Sequence, residues 1–409
     1  MLTVEQAWDE IVRHVEPATP ERVPLPQAAG LVLAEDLVST IDSPPFDKSM
    51  MDGFAVRQSD LAQIPVSLPV SGEVAAGQPA AIPLAPGTVF RIMTGAPIPK
   101  GAELVIPREW TIESHETVTF QKGSDARPGW NILRQGESMA AGDLLLRGGD
   151  RITPAAVALL AETGQAFPLV RTPPVVGILA TGDELVEISQ TPGAGQIRNT
   201  NAVMLAAQVQ TAGGIPRNLG IARDNQDSLR EHLPRGLECD FLCLSGGVSA
   251  GDYDLVPSEL KRAGVAEVFH KVAMKPGKPC WFGVGTPRNG RRGPIVFGLP
   301  GNPVSSMVCF ELFVRLALRR WMEGPVLRPN LLTVTLAAPF RHRSDRPTWF
   351  PAHVTTEDGT LTARPAPWKG SADLRGTATA NCSLSVPAGE VTWSPGERVT
   401  ILPWGCRDS

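Results

Sequence analysis

Two lysines flank a Pro-Gly pair in KPGKP, residues 275–279, of a 409-residue chain that holds only eight lysines and carries a formal net charge of −4. Ammonium groups held that close suit an oxyanion or a phosphate, and a chain with an acidic overall field must supply such cations locally. Two glycine-rich stretches carry related chemistry. In SGGVSAGDYD (245–254), Gly246 and Gly247 let backbone approach a ligand, Ser245 and Ser249 add hydroxyls, and a helix start follows whose N–H groups favour anions. In GLPGNPVSS (298–306), Pro300 and Pro303 stiffen a loop around Gly301 and Asn302 that leads into Ser305 and Ser306. Carboxylates stand nearby in sequence: Glu184 in TGDE, Asp224 in ARD, and Asp252 and Asp254. Plainer readings compete, a capped helix for the first loop and a solvated turn for KPGKP. Neither loop is a Walker A motif and no GxGxxG opens a helix, which disfavours P-loop ATP hydrolysis and dinucleotide binding of the Rossmann type.

Upstream, SPPFDKSMMDGFAVR places Asp47 and Asp52 after a rigid Pro-Pro among Phe46, Met50, Met51 and Phe54. This composition predicts a packed loop that carries a carboxylate into a cleft, with Thr94 and Gly95 of RIMTGAPIP as further lining. RHRSDR (341–346) reads by itself as a solvated charged face.

The elements that must position these residues follow from hydrophobic periodicity. Val4, Trp8, Ile11, Val12 and Val15 recur at helical spacing behind a Thr3/Gln6 capping box. A second helix is expected from Pro154, capped by Thr153 and ended by Gly164. Residues 66–134 hold short β-branched runs broken by Gly and Pro, which predicts a β-rich insertion. From residue 171, apolar runs such as PVVGILATG alternate with Asn- and Asp-capped helices, the pattern of a mostly parallel, doubly wound α/β sheet. Ligands of such sheets bind beyond the carboxyl ends of the strands, where TGDE, RD, SGG and GLPGN all stand. The last 80 or so residues return to short strands and fit a small β-barrel. The expected division is 1–44 with 135–170 as a discontinuous helical linker or dimerisation domain, 45–134 as the β-rich insertion, 171–322 as the α/β domain and 323–409 as the barrel.

Composition bounds the alternatives. A 42% hydrophobic and 20% charged chain, about a fifth Gly plus Pro, is ordered, below the ~25–30% of those two residues that marks disorder. The acidic balance gives no general attraction to nucleic acid or anionic membrane. Six scattered cysteines form no C-x-x-C pair, so a disulfide framework or zinc site is not indicated and a reducing cytoplasm is expected. No stretch has the ~18 consecutive apolar residues of a membrane span, nor does the N-terminus read as a leader.

In order along nearly the whole chain, PPFDKSMMDGFAV, RIMTGAPIPKGAE, TGDEL, SGGVSAGDYD, KPGKP and GLPGNPVS closely resemble the molybdopterin molybdenumtransferase family, the bacterial MoeA proteins and the E domain of gephyrin. The resemblance implies a molybdopterin-binding α/β domain and Mg²⁺-dependent insertion of molybdate into adenylylated molybdopterin, with release of AMP. It also implies a homodimer whose clefts draw on both subunits, and transient contact with other proteins of molybdenum-cofactor synthesis. Carried over, Asp52 and Thr94 face the cleft, and Glu184, Asp224 and Asp254 bind the pterin or organise Mg²⁺, with Glu184 and Asp254 as its ligands. Ser245, Gly246, Gly247, Ser249, Pro300, Gly301, Asn302 and Pro303 hold the phosphate region. Lys275, Lys278, Ser305 and Arg346 form the molybdate pocket, with Ser371 a weaker candidate. Lys48, Met50, Ser138, Arg375 and Gly376 depart from the family pattern. Competing readings are adenylylation of molybdopterin from ATP, and a non-catalytic scaffold.

Overall fold

The computed structural model describes residues 1–248, 255–287, 290–324 and 328–405. They fall into two compact units, one of Met1–Val23, Gly30–Ala34 and Leu169–Ser409, the other of Pro24–Ala29 and Glu35–Pro168.

The first unit is built on a six-stranded sheet. Its strands are β1 (Val175–Thr181), β2 (Ile215–Ala222), β3 (Phe241–Ser245), β4 (Val265–His270), β5 (Trp281–Gly285) and β6 (Ile295–Leu299), in the order β2-β1-β3-β6-β5-β4. The first four in that order are parallel, and β5 and β4 close the sheet antiparallel. Strands β1, β3 and β6 are apolar on both faces because helices cover both. On one face lie α1 (Val4–His14), α2 (Thr200–Thr211), α5 (Pro303–Cys309) and α6 (Arg315–Glu323). On the other lie α3 (Gln226–Gly236) and α4 (Leu255–Arg262).

Helix α1 starts at the capping box expected from sequence, with Thr3 and Gln6 bonded reciprocally. Its apolar stripe, which the sequence reading groups with residues 135–170, is buried in the core of the sheet unit. Trp8 donates its indole N–H to the Leu312 carbonyl at 3.0 Å. Helix α3 is capped by Asn225, whose Oδ1 accepts the Ser228 N–H at 2.9 Å, one residue beyond the aspartate expected to cap it. The long apolar run after Pro303 is continuous but not uniform: α5 passes through one π-helical turn, Phe310–Val314, before α6. Strand β4, absent from the sequence reading, is the sheet's outer strand, with only Val265 and Phe269 buried.

The closed barrel of the same unit has the strand order β7-β9-β8-β10-β11, where β7 is Leu332–Leu336, β8 Thr348–Glu357, β9 Thr360–Pro365, β10 Cys382–Val386 and β11 Arg398–Pro403. Trp349 of β8 meets Trp8 of α1 edge to face, 6.2 Å between ring centroids, so Trp349 and Leu402 join the core over the sheet while the barrel interior packs as a separate cluster.

The second unit carries a six-stranded sheet of Gly53–Val56, Val66–Val74, Val89–Ile92, Leu104–Pro107, Thr111–Glu113 and Thr117–Phe120, with Phe54 and Phe120 at its centre. The helix Pro154–Glu162 is capped by Thr153 as expected.

Candidate functional site

At the carboxyl ends of the parallel strands the described loops interlock. Beyond β1, the carbonyls of Gly182, Asp183 and Leu185 all accept from Arg223 Nη1, at 3.3, 3.0 and 3.2 Å, so this guanidinium beyond β2 shapes the TGDE turn. Asp183 Oδ1 accepts the Asp224 N–H at 3.2 Å. Glu184 is exposed, and its carboxylate folds back over Gly182 closely enough that a Cβ there would lie 2.5 Å from Oε2. These three acidic residues, Asp183, Glu184 and Asp224, therefore share one corner of the sheet edge.

Beyond β3, Gly246 donates its N–H to the Leu299 carbonyl at 3.1 Å, joining the loop after β3 to the end of β6. Gly246 (φ +97°) and Gly247 (φ +62°) turn back against Thr181, and a Cβ on Gly246 would lie 2.5 Å from the Thr181 carbonyl oxygen. Side chains are excluded from this cradle by backbone, which is what close approach of a ligand to main-chain N–H groups requires. Ser249 and Asp254 lie outside the described residues.

Sequence reasoning missed Asn201. Its Nδ2 donates to Ser245 Oγ at 2.7 Å and to the Gly301 carbonyl at 2.8 Å, so one amide ties α2, β3 and the β6–α5 loop together. Its Oδ1 and the Thr181 Oγ1 are buried without a hydrogen-bond partner among the described residues, which leaves polar atoms for a ligand at the same edge. Only the neighbouring Asn199 reads as a cap from sequence; it does cap α2, and nothing local marks Asn201. Asn201→Asp, which keeps the shape but loses both donors, is expected to cost about 1–2 kcal/mol and to speed amide exchange at Gly301 and Asn302. Unchanged exchange there would mean that the loop is held by other groups.

The KPGKP turn reaches the same edge, since Trp281, just past it, pairs with Gly298 at the end of β6. Gly277 (φ +105°) is buried against α5, where Cys309 Sγ donates to its carbonyl at 3.6 Å. On the other side the turn is stitched to β8: Lys275 N–H donates to the Pro347 carbonyl at 2.8 Å, and Trp349 N–H to the Lys275 carbonyl at 2.7 Å. Arg346 Nη1 donates to the Met274 carbonyl at 3.3 Å. Lys275 Nζ lies 2.9 Å from Asp345 Oδ1, and Arg346 Nε lies 3.3 Å from Asp345 Oδ2. The hydrogen bond from Lys275 holds the Asp345 carboxyl below the usual carboxylate range. His342 borders the pair, its Nε2 3.1 Å from Thr348 Oγ1, and burial together with the Lys275 charge pushes its pKa down, so the ring is neutral at pH 7.

The structure thus brings Lys275 and Arg346 together around Asp345 and reveals RHRSDR as part of a packed junction and not simply a solvated face. Lys278 is exposed on the same turn, and Ser305 is buried in the first turn of α5. Ser371 contributes its carbonyl, which accepts the Val304 N–H at 3.0 Å, so the 370s loop lies over the start of α5. Arg375 and Gly376 belong to a turn held by Asp373, whose carboxylate accepts the Gly376 and Lys369 N–H groups, both at 2.9 Å.

In the second unit, Asp52 Oδ1 accepts both the N–H and the hydroxyl of Thr94, at 2.7 and 2.8 Å. The Thr94 backbone bond above all lowers the Asp52 pKa. The packed-loop expectation fails for three of its four apolar residues: Phe46, Met50 and Met51 are 40, 56 and 37% exposed, and only Phe54 is buried. The loop is held by hydrogen bonds instead, including Ser49 Oγ to the Met51 carbonyl at 2.6 Å.

Among the described residues no cluster of three His, Cys, Asp or Glu is placed to hold a metal. Mg²⁺ usually takes one or two carboxylates and fills its shell with water and phosphate oxygens, so the acidic corner with Glu184 fits such an ion. A separate cavity of about 660 Å³ opens at the opposite edge of the sheet, lined by Thr172, Cys239, Asp240 and Trp321 among others, far from the acidic and glycine-rich strand ends.

Family models match in three consecutive segments: the MoeA N-terminal region (domain I and II) over residues 2–164, a probable molybdopterin binding domain over 177–320, and the MoeA C-terminal region (domain IV) over 333–404. Molybdopterin molybdenumtransferase 2 of Mycobacterium tuberculosis is 36% identical over 417 residues, covering 98% of this chain and 99% of its own. The molybdopterin molybdenumtransferase of Bacillus subtilis is 35% identical over 406 residues, covering 96% and 93%. The crystal structure of a molybdopterin biosynthesis MoeA protein from Pyrococcus horikosii superposes with a TM-score of 0.82 at 30% identity, covering 99% of each chain. With relatives of this identity spanning its full length, and with the strand-end loops built as described, the chain belongs to the molybdopterin molybdenumtransferase (MoeA) family.

Proposed function

We infer that the chain inserts molybdate into adenylylated molybdopterin and releases AMP. The observation that carries this reading is the junction of Lys275 and Arg346, two cations from sheet hairpin and barrel that already grip one carboxylate between them. Two positive charges on rigid backbone suit a small dianion better than the acidic overall field of the chain would.

At the other corner, Gly246, Gly247 and Gly301 offer backbone to the phosphate region, and Asn201 and Thr181 offer buried polar atoms to the pterin or its linker. Asp224 and Asp183 orient donors of the ligand. Glu184, with Asp254, would hold Mg²⁺, which when bound would neutralise charge on the diphosphate. Within the second unit, Asp52 and Thr94 form a fixed donor–acceptor pair. A homodimer is the proposed assembly, supported by the exposed apolar trio Phe46, Met50 and Met51 beside Asp52. The cytoplasm is the proposed compartment; no disulfide forms among the described residues, and no described helix is long and apolar enough to cross a membrane.

The purified chain, given adenylylated molybdopterin, Mg²⁺ and molybdate, is expected to yield AMP and molybdenum cofactor. Lys275→Ala is expected to slow cofactor formation by about 10²–10³, the effect of removing one charged donor from a developing or bound oxyanion. Product assayed with no AMP above background would overturn the reading, and consumption of ATP with metal-free molybdopterin would favour adenylylation instead.

A further inference from the structure

We propose that Asp345 is a built-in counter-anion of the oxyanion pocket, a carboxylate that occupies Lys275 and Arg346 and must swing out before molybdate can bind. The proposal rests on the reading of those two residues as the molybdate pocket and adds to it a competitor encoded in the chain itself.

The geometry divides the carboxylate evenly. Oδ1 faces Lys275 Nζ at 2.9 Å and Oδ2 faces Arg346 Nε at 3.3 Å, so both oxygens stand where two oxygens of a tetrahedral dianion would. The backbone beneath is fixed and independent of this contact. Lys275 is bonded at both its N–H and its carbonyl to the Pro347–Trp349 segment, Arg346 Nη1 is bonded to the Met274 carbonyl, and the Arg346 N–H lies 3.3 Å from Ser344 Oγ. Departure of the Asp345 side chain therefore leaves the Lys275 backbone and the Arg346 guanidinium in place. The side chain of Asp345 is 69% exposed and that of Lys275 43%, so the carboxylate has water to move into. His342, the other titratable group at the junction, hydrogen-bonds Thr348.

Exposed ion pairs are weak, on the order of 0–1 kcal/mol, and a carboxylate held this loosely is a plug that a dianion can displace. It offsets part of the positive charge of the pocket in the resting protein and costs every incoming oxyanion the same amount. Displacement makes a quantitative demand. Removing a displaced competitor tightens all tetrahedral oxyanions by one common factor, whereas removing a charge that stays beside the ligand helps a dianion by about the square of its effect on a monoanion, since the interaction scales with ligand charge.

The test is calorimetric titration of the purified full chain with molybdate and with perrhenate, a tetrahedral monoanion, for the wild type, Asp345→Asn, Lys275→Gln and the double variant. Asp345→Asn is expected to tighten both anions by a similar factor, about three- to tenfold, and the gain is expected to shrink in the Lys275→Gln background. Asp345→Ala serves as a second variant without hydrogen-bonding capacity, and equal unfolding midpoints check that the fold is kept. If Lys275→Gln weakens binding but Asp345→Asn leaves it unchanged or weaker, the pocket stands and the counter-anion falls. A gain for molybdate near the square of that for perrhenate also overturns displacement. If Lys275→Gln leaves molybdate binding untouched, the pocket reading itself fails, and the proposal with it.

Discussion

Gly277→Ala is expected to cost about 3 kcal/mol and to abolish most molybdate binding, although no atom of Gly277 is a candidate to touch molybdate. Its φ of +105° is a conformation that a residue with a Cβ adopts at a cost of about 1–3 kcal/mol. The added carbon would also fall inside contact distance of Cys309 Sγ and 3.2 Å from Met274 Cε, and overpacking a tight site costs about 1–3 kcal/mol more. Both terms push the turn off α5, and the turn carries Lys275 and Lys278. The two causes separate in a double-mutant cycle. Cys309→Ala clears the sulfur, so Gly277→Ala combined with it is expected to recover the packing part, about 1–2 kcal/mol, and none of the backbone part. Urea titration followed by tryptophan fluorescence, alongside molybdate calorimetry, reads both. Wild-type stability in the single variant would show that the turn relaxes freely and that its seat on α5 does not fix the lysines.

Glu311→Ala is expected to be the more damaging change to folding, about 3–5 kcal/mol. Glu311 sits in the π-helical turn, 3% exposed, with Oε2 2.5 Å from Arg315 Nε and Oε1 3.0 Å from Arg315 Nη2. Gln208 of α2 donates to the same Oε1 at 2.7 Å. Truncation would leave the Arg315 guanidinium, itself only 11% exposed, without its counter-charge and Gln208 with only its longer 3.3 Å bond to the Met307 carbonyl. Replacing both charges, as in Glu311→Leu with Arg315→Met, is expected to restore much of the loss, because a well-packed apolar pair avoids the desolvation that the ion pair must offset. A double variant as unstable as the single one would show that the bond from Gln208 carries the effect instead.

How much of this was legible in the sequence depends on the range of the interactions. The Thr3 capping box, the Thr153 cap and the doubly buried run of β1 are local or periodic, and they appear where expected. The order of the strand-end loops followed from topology alone, since parallel strands present their carboxyl ends together. Strand β4 was missed because an outer strand with only Val265 and Phe269 buried has no continuous apolar run to betray it. Asn201 and Asp345 were missed for a different reason. Each acts through partners 44 to 100 or about 70 residues away, so Asn201 looks like one more helix-start asparagine and Asp345 like one charge in a polar run. Met50 and its neighbours misled because apolar content was read as burial, whereas hydrogen bonds hold that loop.

The stitching of residue 275 to Pro347 and Trp349 has a consequence for how this chain can be recombined. One half of the cationic junction is encoded before the sheet ends and the other half after the barrel begins. A barrel borrowed from a relative would arrive with its own arginine and its own flanking residue, facing a lysine turn whose spacing was set by a different partner. Hybrids of these proteins are therefore best cut so that the hairpin turn and the first barrel segments travel as a single inherited block.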